Sequence, residues 1–380
     1  MKTLETILTK RVSVKKIELI EAAIPQVEAF KSAIGVRNER RALYIRWVDD
    51  EGNWGIGECS CRPDPYFNGE FLAGAVEVLK NHVFPLLPVE GTIQEFEKAI
   101  QKTRNWPFTT AALLDAAFDL LRRKSEPDAL ELWQGKRIKK IPVGISLGLF
   151  ETPAEAVKRV ENAVRDGYRR FKFKVFPKMN VETLIAVRHE FPQIALGFDA
   201  NGSGVENDVA FFAKLAELAP VMLEQPFAPR DFHLNNLLKS QARNLTICLD
   251  ESVASFGDLI VAHRLDALDE VNIKPGRVGG QLETLKILDY CREHKIPAWV
   301  GGMFETGIGR TANLRVASCL PNAQAHDLSP SSRYFARDVI AEPIRMDSDG
   351  FVRLDDSKPV EIDEEALRDF AENKIEMMKK

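Results

Sequence analysis

Apolar and polar positions alternate with a period of two through "RFKFKVF" at 170–176, setting Phe171, Phe173 and Val175 against Lys172 and Lys174. Successive strand side chains point to opposite faces, so the two lysines share one face of a run whose other face is apolar. An ammonium group buried without a partner is costly or sheds its proton. The pattern therefore predicts a strand with something anionic opposite its lysines.

From about residue 140 onward the same strand character recurs in "IPVGISL", "RRFKFKVF", "IALGFDA", "PVMLEQP", "LTICLDE", "EVNIKP", "IPAWVGG" and "AQAHDLS". Segments with apolar residues at helical spacing separate them, among them "TPAEAVKRVENAVRDGY", "VETLIAVRHEF" and "QLETLKILDYCREHK". Lys174, Asp199, Glu224, Asp250, Lys274 and Gly301 fall where strands should end, at intervals of 24 to 27 residues. One βα unit is being repeated. An open doubly wound sheet shows the same alternation, but the count of eight strands and the even placing of their ends select an α/β fold of (β/α)8-barrel type, with its active site at the C-terminal ends of the strands.

The first 125 or so residues read differently. "VKKIELIEAAIP" and "RRALYIRWVDDEGNWGIGECS" predict antiparallel strands, and "NGEFLAGAVEVLKNHVFPLL", "TIQEFEKAIQKT" and "PFTTAALLDAAFDLLRRK" predict helices. This gives an α+β capping domain over 1–128, a barrel over 140–330 and a C-terminal segment over 331–380. In that segment "PIRMDSDGFVRLDD" predicts a hairpin turning at Asp349-Gly350, expected to return to the first domain's sheet. "DEEALRDFAENKIEMMKK" predicts a terminal amphipathic helix.

Composition narrows the function classes. The net charge is −4 and the basic residues are scattered, which argues against nucleic-acid binding. No apolar stretch reaches the length of a membrane helix, and "MKTLETILTKRVSVKK" has no signal-peptide core, so the expected location is cytoplasmic, away from membranes. Five cysteines suit reduced thiols better than a disulfide framework, and the Cys59-x-Cys61 pair lacks a second cysteine or histidine pair for zinc.

Three carboxylates, Asp199, Glu224 and Asp250, end consecutive strands after apolar residues. A shared cation offsets the cost of burying them, and an all-oxygen set suits Mg2+ or another hard divalent ion such as Mn2+. Salt bridges or helix caps are the alternative reading of the same residues. Lys172 and Lys174 precede the trio and Lys274 follows it, so lysines flank the expected ion on both sides. A carboxylate substrate bound there would have its α-proton within reach of an amine on either face.

These residues resemble the enolase superfamily, muconate-lactonising subgroup, through "KFK" (172–174), "DAN" (199–201), "EQP" (224–226), "LDES" (249–252) and "NIKPGRVGG" (272–280). A Lys or His base acting with Mg2+ on an enediolate is already the superfamily's known chemistry. "GGMFETGIGR" (301–310), "SSRYF" (331–335) and "WGIGEC" (54–59) resemble the o-succinylbenzoate synthases and N-acylamino acid racemases within it. The resemblance implies Asp199, Glu224 and Asp250 as metal ligands, Lys174 as acid/base catalyst tuned by Lys172, and Lys274 on the opposite face. In a synthase Lys274 would only stabilise the anion, whereas in a racemase both lysines would exchange protons with the α-carbon. Substrate contacts are implied for Asn201, Gly301, Gly302, Met303 and Arg277, and for Phe30 and Tyr66 in capping-domain loops. Arg277 resembles an arginine of members with racemase activity. The chain departs from the family in "DANGSG", where an aromatic is replaced by glycines, in "FPKMN", which lacks a common glycine, and in "HDLSP" in place of a "GDIS" type. The expected partner is a small carboxylate substrate. Dipeptide epimerase, cycloisomerase and a catalytically silent carboxylate-binding barrel remain competing readings, and a homo-oligomer is left open.

Overall fold

The computed structural model describes residues 2–32 and 35–379. The capping sheet is built from β1 (Lys16–Ser32), β2 (Gly35–Val48) and β3 (Trp54–Cys59), paired antiparallel in that order. Trp47 anchors it, fully buried, with its indole N–H donating to the Ser13 carbonyl at 2.7 Å.

Helix α1 (Pro107–Arg123) lies directly on β3. "WGIGEC" explains the close approach: a Cβ on Gly55 would stand 2.2 Å from the Ala116 carbonyl oxygen, and one on Gly57 2.1 Å from that of Ala112. Trp106 supplies no side-chain cap to this helix. Glu70 takes over, accepting from the Phe108 N–H at 2.9 Å and the Thr109 N–H at 2.6 Å.

The barrel follows, beginning with β4 (Lys140–Pro142) and β5 (Ile145–Leu147), then helix α2 (Pro153–Arg165). The remaining named strands are β6 (Arg170–Lys174), β7 (Ala195–Asp199), β8 (Met222–Glu224), β9 (Ile247–Leu249), β10 (Glu270–Ile273) and β11 (Ala298–Val300). β5 to β11 form one parallel sheet in sequential order. The eighth predicted strand, "AQAHDLS", is reduced to a parallel bridge between His326 and Val143. It still spans the gap: Asp327 N–H donates to the Val300 carbonyl at 3.0 Å, and His326 exchanges backbone bonds with Pro142 and Gly144 at 2.9 and 2.8 Å. Helix α3 (Gly307–Ala317) leaves the mouth after β11.

The C-terminal segment corrects two expectations. The hairpin strand β12 (Phe351–Arg353) pairs with β4 at the barrel and does not reach the capping sheet. The predicted terminal helix stops after α4 (Glu364–Phe370), and β13 (Ala371–Met378) continues as a strand antiparallel to β1. The chain thus does return to the capping sheet, by its last strand. Ile375 and Met377 alternate with Lys374 and Glu376 there, a period of two that the helical spacing of Ala366, Leu367 and Phe370 obscures.

All five cysteines are free and buried. Among the described residues no helix is long and apolar enough to cross a membrane.

Glu58 fastens the capping sheet to the barrel, accepting from Thr306 Oγ1 at 2.7 Å and from the Thr306 and Gly309 N–H groups at 3.1 and 3.0 Å. Burial pushes both Glu58 and Glu70 up to about 7. A carboxyl raised in the folded state stabilises the fold fully below its unfolded value, and that contribution is lost as pH rises through about 7. The thermal midpoint is therefore expected to fall between pH 5 and pH 8, each carboxyl contributing up to about 3 kcal/mol of the change. Differential scanning fluorimetry across that range checks it; a midpoint rising with pH would contradict the assignment.

Candidate active site

The face of β6 that carries Arg170, Lys172 and Lys174 is the barrel interior, which answers why a buried strand is basic on one side. Phe171 and Phe173, 0% and 1% exposed, belong to the apolar core on the other face. Parallel pairing sets Lys174 beside Asp199 and Asp199 beside Glu224. Asp250 follows the end of β9. Three adjacent strands thus deliver three carboxylates to the C-terminal mouth of the barrel.

Lys172 is enclosed by acids, its Nζ 2.6 Å from Glu224, 2.7 Å from Asp327 and 3.3 Å from Asp199. Burial alone would lower its pKa, but the Asp327, Glu224 and Asp199 carboxylates outweigh this and hold it well above the usual lysine value. Lys172 therefore stays an ammonium, the state in which it can act on Lys174 as a like charge. Burial would likewise raise Asp199, yet Lys174 and Lys172 keep it below the usual carboxylate range.

Lys174 and Lys274 occupy different settings. The Lys174 side chain is 37% exposed, against 6% for Lys172, so it is the lysine of the pair open to the mouth. Its Nζ meets Asp199 at 2.8 Å and also bonds Asn201. Lys274 follows β10, pairs with Asp250 at 2.7 Å and lies 5.1 Å from the centre of the Phe67 ring. The lysines thus hold opposite ends of the carboxylate row, Lys174 at Asp199 and Lys274 at Asp250.

The supporting shell is polar and strained. Asn272 Nδ2 donates to Glu224 at 2.8 Å. Gln225 accepts from the Asp250 and Ser252 N–H groups at 3.1 Å each, fixing the loop after β9. Asn201, Gln225 and Phe304 take positive φ values of 44°, 41° and 63° in loops after β7, β8 and β11, the kind of strain that tightly determined functional loops hold. A Cβ on Gly301 would stand 2.4 Å from Asn272 Oδ1 and 2.9 Å from Lys274 Cε, so this glycine leaves room for the lysine stem. Gly302 makes similar room for Arg310 and Glu305, while Met303 is half-buried with its N–H donating to Glu305 at 2.8 Å.

The other expected substrate contacts are arranged differently. Arg277 is buried behind Asp250, bonded to that carboxylate and to the Val253 and Asn272 carbonyls, so its donors are spent on the scaffold. Tyr66 is 64% exposed on its loop, and the neighbouring Phe67 is the aromatic that meets Lys274. Phe30 falls within β1, but its side chain lies outside the described residues. Sequence reasoning missed Asp327, which salt-bridges both Lys172 and Arg170, although it stands in the noted "HDLSP".

The donor set suits a hard divalent ion. Asp199, Glu224 and Asp250 are at most 3% exposed and offer only oxygen, and the neighbouring Glu251 has a buried Oε2 with no hydrogen-bond partner among the described residues. Lys172, Lys174, Lys274 and Arg277 pair with the same three carboxylates.

Residues 155–366 match the family model described as enolase C-terminal domain-like. The chain belongs to the enolase superfamily. An o-succinylbenzoate synthase from Enterococcus faecalis is 34% identical over 87% of this chain and 90% of its own length. An N-succinylamino acid racemase from an Amycolatopsis species is 36% identical over 85% and 88%. A solved enolase-superfamily member from Listeria innocua superposes with a TM-score of 0.90 at 28% identity, covering 97% of this chain and 99% of its own. As an enolase-superfamily enzyme, the chain places its lysines and carboxylates at the mouth of its barrel.

Proposed function

We propose that this chain is an o-succinylbenzoate synthase, a carbon–oxygen lyase that dehydrates 2-succinyl-6-hydroxy-2,4-cyclohexadiene-1-carboxylate through an enediolate, acting in menaquinone biosynthesis in the cytoplasm. The observation that carries the reading is the pairing of Lys174 and Lys274 with opposite ends of one buried carboxylate row. Asp199, Glu224 and Asp250 would hold Mg2+, which supplies positive charge beside the substrate carboxylate. Lys174, the more exposed amine, removes the α-proton, and the C–H electrons delocalise into the substrate carboxylate as the enediolate; their return forms the new ring double bond as the C–O bond breaks. The same lysine returns the proton to the departing hydroxyl on its own face, releasing water and an aromatic ring. Lys274 remains protonated opposite and stabilises the negative charge that develops. Lys172, fixed by three carboxylates, keeps the base side electrostatically set. The half-buried Met303 and the aromatic Phe67 give the substrate's apolar ring a surface to lie on.

Racemisation of N-succinylamino acids is the second reading, favoured by the placement of an amine at each end of the site. It needs Lys274 to exchange protons rather than only to carry charge.

The test is the steady-state rate of dehydration with Mg2+ and with EDTA. A kcat/KM above about 10⁴ M⁻¹s⁻¹, abolished by EDTA and restored by Mg2+ or Mn2+, is expected. A negligible rate would reject the synthase, and N-succinylamino acids would then be the substrates of choice. Absence of α-proton exchange with D2O across a panel of carboxylates would favour the silent barrel.

A further inference from the structure

A cavity of about 440 Å³ opens on the flank of the barrel between α2 and the segment 330–346, away from the lysine–carboxylate row. Ile145, Ala163 and Tyr168, all under 6% exposed, form its apolar floor. Among the described residues three guanidinium groups surround it, from Arg159, Arg333 and Arg345, and Asp166 is the one acid in the lining. Arg345 makes no hydrogen bond or ion pair among the described residues. Arg333 donates to the Ser146 carbonyl at 2.9 Å, lies 5.3 Å from the Tyr334 ring centre and has no carboxylate partner among those residues. Arg159 is held at 3.0 Å by Glu28, in a pair exposed enough to exchange readily.

We propose that this cavity is a second site, binding a small organic dianion with an apolar body, of the dicarboxylate class. The volume is that of a small-molecule pocket. An apolar floor ringed by arginines suits a planar apolar body with carboxylates that guanidinium forks can grip. The site also has a physical route to the catalytic centre. Arg333 bonds the Ser146 carbonyl, Ser146 Oγ donates to Asp327 at 2.9 Å, and Asp327 meets Lys172 at 2.7 Å. Tyr334, next in the chain, packs on Phe304 of the mouth loop with ring centres 5.1 Å apart. An anion that draws Arg333 away from Ser146 changes the support behind Lys172, so occupancy modulates turnover without competing with substrate.

Phthalate is a suitable probe, titrated calorimetrically into the full chain and into Arg345→Glu and Arg345→Lys. Arg345 is exposed and unengaged among the described residues, so these variants are expected to fold and to keep kcat/KM within about twofold of the parent. The expected result is a phthalate site weakened at least tenfold in Arg345→Glu and retained in Arg345→Lys, with non-competitive inhibition of the parent enzyme that disappears in Arg345→Glu. Identical binding in all three proteins, or inhibition that is purely competitive, would place phthalate in the catalytic mouth and overturn the proposal. Sedimentation showing that a second copy of the chain covers the cavity, with no phthalate bound there, would overturn it too. Calorimetry needs no turnover, so failure of the synthase assignment leaves the binding result readable.

Discussion

Lys174→Ala is expected to lower kcat/KM for the dehydration by about 10⁴-fold while leaving the thermal midpoint close to that of the parent. The magnitude is the upper end of general acid–base catalysis, because one amine is asked both to remove a proton and to return it. The small effect on stability follows from its 37% exposure and from Lys172 remaining to neutralise Asp199. Lys274→Ala separates the two chemistries. For dehydration it removes only charge stabilisation, so a loss of about 10² to 10³ is expected. For racemisation it removes one of two proton-transfer groups, so interconversion should stop. With Lys274 absent, the N-succinylamino acid enantiomer whose α-proton faces Lys174 should still exchange that proton with D2O, and its mirror image should not. Exchange of both enantiomers in Lys274→Ala would mean that a single amine reaches both faces, and the opposed-lysine reading would fail. Proton NMR of the α-position in D2O reads this out directly.

Much of this site is legible in the chain because it rests on local periodicities. Alternation on β6 sorts Lys172 and Lys174 from Phe171 and Phe173 without reference to any other strand, and the regular spacing of strand ends brings Asp199, Glu224 and Asp250 into line. What depends on contacts distant in sequence is not legible in the same way. Asp327 sits in a segment with one bridge instead of a ladder, and only closure of the barrel brings it to Lys172. Phe67 and Tyr66 are neighbours of similar chemistry, and the loop that carries them decides which one faces Lys274. Arg277 resembles an arginine of members with racemase activity, and that resemblance implies a substrate contact. Its side chain instead turns back to Asp250 and two carbonyls, where burial leaves it nothing else to bond. At the C-terminus a helix-forming stretch runs straight into β13, and pairing with β1 overrides the local helical preference.

The second large effect is structural. Lys172→Met is expected to cost about 3–5 kcal/mol of stability at neutral pH, because it removes one partner of a buried ionic cluster and leaves the others charged. Met has nearly the volume of the lysine stem, so little of that loss comes from a cavity. The lysine serves Glu224, Asp327 and Asp199 at once, and no single neighbour can replace it: Asn272 offers Glu224 one neutral donor, Arg170 reaches Asp327, and Lys174 reaches Asp199. In the parent, Asp199 and Asp327 are held below the usual carboxylate range, and the stability they contribute is lost only as pH falls through their depressed values. Without Lys172 the same carboxylates repel one another, and their pKa values rise. Acidification then relieves the variant by neutralising them. The midpoint deficit relative to the parent, about 4–6 °C at pH 8 for this loss of stability in a chain of this size, is therefore expected to shrink at pH 5. Thermal denaturation of both proteins at the two pH values, in EDTA so that no divalent ion contributes, distinguishes the causes. An equal deficit at both would assign the loss to packing and remove the electrostatic role given to Lys172.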